Sequence, residues 1–424
     1  MLKKWERRAY SAARRDMYMR MAVPIIRWLR LLLVGGAVLS LAASGTAMST
    51  AASPARPESL AQPVLGAGPV PKAVAFNSGE ATGAAPQLRV SGNMLVNAHG
   101  RQIALHGANR SGTEYMCVDG YGIFDGPSNQ ASVTAMKGWH VNAVRIPLNE
   151  GCWDGDSYVN PSYASLRYQH AIEAYVHLLN ANGLVAILDL HWSDGLYDGP
   201  QPGCDSPEAL CQKPMPDRNS VEFWKSVAHA FGHNDSVIFD LFNEPFPTGG
   251  NDNTASWQCW LNGGTVCTGL SYTAVGMQAL VNAVRSAGAT NVLMIGGPAW
   301  ANDLRRWLAY EPQDPLHDLV ASWHSYSFNA CNTAKCWNSQ VAPVLGQVPV
   351  VAGEIGENDC SDSYITGLMS WMDAHLSSYL AFTWDDWPGG CGGEPALIGN
   401  YSGTPTPYGS GFQAHLAALA DRQP

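Results

Sequence analysis

The chain has 424 residues, 46% of them hydrophobic, 43 glycines and a formal net charge of −10. That length holds two or three ordinary domains or one large α/β barrel. Removing residues 1–30, which carry nine Lys or Arg, leaves 16 basic and 33 acidic residues, a charge of −17; such a body repels phosphate backbones and anionic lipid, which sets nucleic acid aside as a partner.

The basic start leads into the apolar run L-L-L-V-G-G-A-V-L-S-L-A-A (31–43) and then into small residues. Basic, apolar, small is the order of a secretory signal, so residues 1–47 are read as a signal peptide with cleavage after Ala47 or Ala52. The run is shorter than the roughly 20 residues of a spanning helix, so export is expected and stable membrane insertion is not. Residues 48–87 are rich in Ala, Pro, Gly and Ser and read as a linker. The remainder, 88–420, is expected to be one domain.

All ten cysteines lie beyond the signal, which suits an oxidising compartment. The close pairs Cys204/Cys211, Cys259/Cys267 and Cys331/Cys336 are expected as disulfide staples. Elimination then suggests Cys117–Cys152 and Cys360–Cys391, although spacing alone does not fix connectivity. No C-x-x-C pair points to zinc.

Eight short apolar or β-branched runs recur along 88–420: 103–109, 142–147, 184–191, 237–244, 291–297, 319–326, 348–354 and 379–384. Helical patterns lie between them. In 165–183, Ile172, Tyr175, Val176 and Leu179 share a face, and Gly183 stands where a C-terminal glycine belongs. In 219–232, Val221, Trp224, Val227, Ala228 and Phe231 share a face, with Asn219 and Glu222 spaced as a capping box. Continuous apolar strands alternating with amphipathic helices imply a parallel sheet. Eight units imply a closed (β/α)8 TIM barrel. No G-x-G-x-x-G follows the first strand, which weakens the alternative of an open doubly wound sheet.

Polar residues collect where these runs end: Arg145 on the second, His191 and Trp192 on the third, Asn243 and Glu244 on the fourth, His324 and Tyr326 on the sixth, Glu354 on the seventh and Trp384 on the eighth. In a barrel those ends form one mouth. Two carboxylates across a mouth point to glycoside hydrolysis, with one protonated and one ionised. Arg145 would keep a carboxylate charged, Tyr326 would hydrogen-bond the nucleophile and Asn243 would hold a sugar hydroxyl. Trp384, Trp192 and Trp153 offer flat faces for sugar rings. Glu357, three residues past Glu354, is a rival nucleophile, and Glu150 and Asp194 are loop acids within reach of substrate.

The set A-V-R-I-P, L-D-L-H-W, F-D-L-F-N-E-P, S-W-H-S-Y, V-V-A-G-E-I-G-E and F-T-W resembles glycoside hydrolase family 5, the cellulase-related retaining glycosidases. The resemblance implies Glu244 as acid/base and Glu354 as nucleophile, with Arg145, His191, Asn243, His324, Tyr326 and Trp384 at substrate-binding positions. It implies an enzyme acting on carbohydrate without cofactor or metal, with β-1,4-glucan as lead substrate; the signal makes a secreted protein the expectation, and a monomer is expected. Segment 109–127 departs from plain endoglucanases and keeps exo-acting or furanoside-cleaving activity open. The reading from another class is a sugar-binding barrel without catalysis.

Overall fold

Eight parallel strands close on themselves in chain order: His106–Asn109, Ala143–Asn149, Val185–Trp192, Val237–Asp240, Leu293–Gly296, Leu319–Tyr326, Val350–Gly356 and Ser378–Ala381. The last pairs with both the seventh and the first. The fold is a (β/α)8 TIM barrel, and every strand falls on one of the eight sequence runs. The computed structural model describes residues 83–193, 213–387, 389–392 and 394–421, all within one unit, Phe76–Pro424. The expected signal, nearly all of the expected linker, Asp194 and the Cys204/Cys211 pair lie outside the described residues. Among the described residues no helix is long and apolar enough to cross a membrane.

The strands are apolar on both faces because both are covered. Alternation sends Ala186, Leu188 and Leu190 of the third strand, and Val237, Phe239 and Leu241 of the fourth segment, outward to the helices. Ala143, Val185, Ile187, Ile238, Met294, Val320, Val351 and Leu380 form a second cluster inside the barrel. A hairpin, Leu88–Ser91 with Met94–Asn97, adds Leu88 and Leu95 to that inner cluster. Its Leu88 N–H donates to Asp235 O and its Val90 N–H to Asp318 Oδ1. Both acceptors precede strands, so the hairpin plugs the N-terminal end and leaves the opposite end as the mouth.

Helix Leu166–Ala181 buries Ile172, Tyr175, Val176 and Leu179 as the sequence predicts, and Gly183 at φ 84° turns the chain toward the third strand. Helix Asn219–Phe231 buries Phe223, Trp224, Val227, Ala228 and Phe231. Its expected capping box does not form, because Asn219 is already helical. Asp217 Oδ1 accepts the Asn219 and Ser220 N–H groups instead, at 2.8 and 3.4 Å. Four expected disulfides are present: Cys117–Cys152, Cys259–Cys267, Cys331–Cys336 and Cys360–Cys391. The first ties the segment after strand one to the segment after strand two.

Candidate active site

Arg145 organises the mouth from below. Its guanidinium is fully buried and meets Asp189 Oδ1 at 3.0 Å, Asp240 Oδ2 at 3.0 Å and Glu354 Oε1 at 2.8 Å. It also donates to Asn109 Oδ1 (3.0 Å) and Asn243 Oδ1 (2.9 Å). One cation therefore serves three carboxylates. Burial pushes the Asp189 and Asp240 carboxyls up to about 7, against the opposing pull of Arg145.

The seventh strand aims Glu354 with a bulge. Trp323 lies opposite Ala352, but the next residue, His324, lies opposite Glu354, which leaves Gly353 as the extra residue. A Cβ on Gly353 would lie 3.0 Å from Ser322 Oγ and 3.1 Å from His324 Nε2, tighter than an ordinary contact, so the V-A-G-E glycine relieves crowding against His324. Thus aimed, Glu354 receives Arg145 on one oxygen and the Tyr326 hydroxyl, at 2.5 Å, on the other.

Glu244 follows the fourth strand. The chain beyond Asp240 keeps bonding to both neighbours, Leu241 N–H to Met294 O and Asn243 N–H to Leu190 O, each at 3.0 Å. This carries Asn243 and Glu244 to the rim. Glu244 Oε1 lies 3.0 Å from His324 Nδ1, and Glu354 Oε2 lies 3.7 Å from the same nitrogen. One donor atom from each of Glu244, His324 and Glu354 falls within 4.8 Å of the others. Such a set has the chemistry of a divalent-ion site, although His324 Nδ1 and Glu244 Oε1 already meet in hydrogen-bonding contact.

The two glutamates differ in surroundings. Burial and the charge of Glu354 hold the Glu244 carboxyl well above the usual range. Burial also raises Glu354, but the Arg145 charge and the Tyr326 hydroxyl oppose it. The shared proton therefore resides on Glu244. Burial keeps the His324 imidazole neutral, assisted by the nearby Arg145 charge. Burial lowers His191 to about 4; its neutral ring meets Asp189 Oδ2 through Nδ1 at 2.6 Å and the Asn243 amide nitrogen through Nε2 at 3.3 Å. With its oxygen on Arg145 and its nitrogen on His191, Asn243 is locked in one orientation.

Seven of the eight sequence candidates thus converge: Arg145, His191, Asn243, Glu244, His324, Tyr326 and Glu354. Trp384 does not. It is fully buried, edge-on to Trp139 with centroids 4.8 Å apart, and packs in the core behind the barrel. The eighth strand ends at Ala381, so its alternation cannot be extended to residue 384. Phe382, half-buried, stands nearer the site, 6.4 Å from the Tyr326 ring. Trp153 is likewise core, against Tyr168 and Phe223, and Trp192 is largely buried. Glu357 accepts the Tyr364 and Ile365 N–H groups at the start of helix Ser363–Ala374, a structural role. Glu150 is buried and accepts from Ser220 Oγ.

A family model described as "Cellulase (glycosyl hydrolase family 5)" matches residues 96–388. The chain belongs to that family. It is 26% identical over 307 residues to "Beta-mannanase/endoglucanase A" of Caldicellulosiruptor saccharolyticus, covering 66% of this chain and 19% of that protein. It is 24% identical over 308 residues to "Mannan endo-1,4-beta-mannosidase" of Cellvibrio japonicus, covering 70% and 58%. The chain thus spans well under two thirds of either relative. Among solved structures, a β-glucanase from Saccharophagus degradans superposes with a TM-score of 0.58 at 19% identity, over 82% of this chain and 98% of the other. A β-mannanase from Streptomyces thermolilacinus does so at 0.54 and 22%, over 80% and 97%.

In this family 5 barrel, sequence reasoning missed Asn109, Glu114, Asp189 and Asp240. Asn109 closes the first run by the same rule that found Arg145. Asp189 lies two residues before His191 on one strand face, and Asp240 interrupts an apolar strand; alternation would have flagged both. Glu114 gave no such signal. It is buried in the segment after strand one, accepts from Ser111 Oγ and Gly112 N–H, and burial raises its carboxyl while the nearby His191 opposes this.

Proposed function

We propose that this chain is a secreted retaining glycosidase cleaving β-1,4-linked glucan or mannan, with Glu244 as acid/base and Glu354 as nucleophile. The observation that carries the reading is the unequal environment of two carboxylates whose facing oxygens lie within 4.8 Å. Inverting glycosidases hold theirs about 6.5–9.5 Å apart to admit a water, retaining ones about 5–5.5 Å apart. The spacing supports double displacement.

Glu354, held ionised by Arg145 and Tyr326, attacks the anomeric carbon. Glu244, carrying the proton, delivers it to the glycosidic oxygen as that bond breaks. The ionised Glu244 then takes a proton from water, which attacks the same carbon and releases Glu354. The locked Asn243 amide suits a sugar hydroxyl beside the reacting centre, a contact that strengthens in the transition state.

The names of the two relatives, a mannanase/endoglucanase and a mannosidase, support a β-1,4-linked polysaccharide. Four disulfides among the described residues support export. The domain limits proposed remain signal 1–47, linker 48–87 and catalytic barrel 88–420, acting as a monomer. An exo-acting or furanoside-cleaving enzyme is the second reading. The segment after strand one favours it: this segment is largely buried and tied down by Cys117–Cys152.

The test is hydrolysis of β-glucan, carboxymethylcellulose, mannan, xylan and aryl pyranosides and furanosides by the parent, Glu354→Ala and Glu244→Ala. Mixed oligosaccharides from glucan or mannan support the lead reading; release from aryl furanosides alone supports the second. Glu354→Ala should lose about 10^4-fold or more, roughly 5 kcal/mol of barrier, and azide should restore turnover with inverted product. Glu244→Ala should lose about 10^2–10^4-fold on polysaccharide and far less on substrates with good leaving groups. Equal losses on every substrate, with no rescue by azide, would refute the roles.

A further inference from the structure

The sixth strand outruns the fifth. Their last pair is Gly296 with Ser322, yet the sixth strand continues to Tyr326 and, on its other side, pairs His324 with Glu354. At His324 the side toward the fifth strand therefore has no strand to bond, although a buried N–H and C=O need partners there. A loop supplies them. Ala301 O accepts the His324 N–H at 3.0 Å, and Asn302 Nδ2 donates to His324 O at 2.7 Å. One carbonyl and one side-chain amide thus stand in for a residue of the missing strand.

The Asn302 amide is itself fixed. It is buried, and its Oδ1 accepts the Cys331 N–H at 2.8 Å, in a loop closed by Cys331–Cys336. Both partners are backbone groups of set polarity, so the amide has one orientation. The chain reaches Asn302 through Ala299, Trp300 and Ala301, all in the left-handed region at φ 58°, 57° and 56°. Such a run is costly for L-residues and persists only where the surroundings enforce it. Within it, Trp300 N–H donates to Pro245 O at 3.1 Å. One turn therefore ties the residue after Glu244 to the backbone of His324. His324 depends on that hold more than His191 does. The His191 ring is anchored through both nitrogens, to Asp189 and Asn243. The His324 ring meets Glu244 Oε1 through Nδ1 at 3.0 Å, but its Nε2 is buried with no hydrogen-bond partner among the described residues. Its placement against Glu244 thus rests on packing and on where the backbone sets it.

We propose that Asn302 is a positioning residue for the acid: by completing the ladder at the His324 carbonyl it holds the imidazole against Glu244, and with it the geometry in which Glu244 gives up its proton. The inference rests on Glu244 being the acid of the reading above. Asn302 acts through His324, and the left-handed turn and the Cys331 N–H keep its amide in place. Its removal leaves the His324 carbonyl unpaired and frees the backbone that aims the ring. Glu354, aimed by its own strand and held by Arg145 and Tyr326, does not depend on it.

The experiment compares two substrates of one sugar in the full chain. The first is the best substrate found for the parent in the panel above whose departing oxygen needs a proton. The second is the matching 2,4-dinitrophenyl glycoside, whose departing phenolate needs none. The readout is kcat/KM, which reports the step that breaks the glycosidic bond. Asn302→Ala should lower kcat/KM on the first substrate about 10-fold or more, as a displaced catalytic group does, and leave the second within about threefold. The basic limb of the pH profile on the first substrate should move as well. Asn302→Ser, whose hydroxyl can serve His324 or Cys331 but not both, should fall between, and it decides the question if the alanine variant does not fold. Rates that persist on both substrates, or fall together on both, overturn the inference. Glu244→Ala is run alongside. A dependence on leaving group in Glu244→Ala but not in the Asn302 variants overturns this inference alone. No such dependence in Glu244→Ala, or a parent silent on the whole panel, overturns the acid assignment and this inference with it.

Discussion

Inside the barrel, Ala143, Ile187, Ile238 and Val320 form an apolar layer, while two residues further along the same strands stand Arg145, Asp189, Asp240 and Ser322. One step of the pleat separates hydrocarbon from a buried ion cluster. Each fully buried aliphatic side chain in the lower layer contributes about 1.5–3 kcal/mol. The upper layer takes several ions out of water, which costs several kcal/mol per ion before their attraction is counted. The lower layer therefore carries the closure of the barrel, and the upper layer holds an arrangement that stability alone would not favour. That difference is what points to chemistry at one end only.

Breaking the upper layer at its centre should have the largest effect. Arg145→Met leaves Asp189, Asp240 and Glu354 around an uncharged side chain, and loss of one partner from a buried ionic cluster costs about 3–5 kcal/mol. Urea unfolding at pH 7 should show a loss in this range, with turnover reduced because Glu354 loses its nearest cation. Arg145→Lys keeps the charge but not the five-donor fork that reaches Asn109, Asn243 and three carboxylates, so it should recover only part of the stability. An Arg145→Met variant as stable as the parent would mean that the cluster does not depend on its cation.

The sequence disclosed the two layers unevenly. The barrel was legible because both-face burial makes each strand a continuous apolar run, and the eight runs match the eight strands. Strand-end residues were legible because charge at the end of such a run has few structural uses. Asp189 and Asp240 lie inside or at the last residue of their strands rather than beyond them, although Asp189 shares its strand face with His191. Trp384 was misplaced because the eighth run was taken to end at residue 384, whereas the strand ends at Ala381 and the indole turns into the core. Glu114 was invisible for a different reason: the backbone of a loop sets its direction, and no periodicity encodes it. Glu357 looked catalytic by spacing alone, and only its bonds to the Tyr364 and Ile365 N–H groups reveal a helix-terminus role.

A cut in the lower layer sharpens the contrast. Ile187 is fully buried in the inner apolar cluster. Ile187→Ala should cost about 2–4 kcal/mol from lost burial and a residual cavity. If the layers divide the labour, kcat should stay within about threefold of the parent under conditions where the variant is folded, because Ile187 touches the site only through its strand neighbour Arg145. A variant that keeps its stability but loses its turnover would reverse the assignment of the two layers.

The smallest effect, and the most specific to the boundary, concerns Asp240. Its carboxyl is fully buried, its Oδ2 lies 3.0 Å from Arg145 Nε, and burial raises it to about 7. The unfolded carboxyl titrates at about 3.9. Between roughly pH 4 and 7 the folded state thus holds a proton that the unfolded state has released, and stability falls as pH rises through that window. Asp189, raised to about 7 by the same burial, adds a slope of the same sign. His106 and His191, lowered to about 4, act oppositely: they remain neutral in the fold, and stability is lost as pH falls from about 6.5 toward 4. A total stability curve would therefore superpose slopes of both signs. The difference between Asp240→Asn and the parent isolates one group, because the other titrations are common to both. At pH 4 the amide resembles the protonated acid in shape and charge, so the two proteins should unfold at nearly the same urea concentration. By pH 7 the variant should be the more stable, by a margin that grows through the window as the unfolded carboxyl ionises and the folded one does not. A difference independent of pH from 4 to 7 would mean that Asp240 stays ionised beside Arg145 throughout, and that the ion cluster is better compensated than its burial implies.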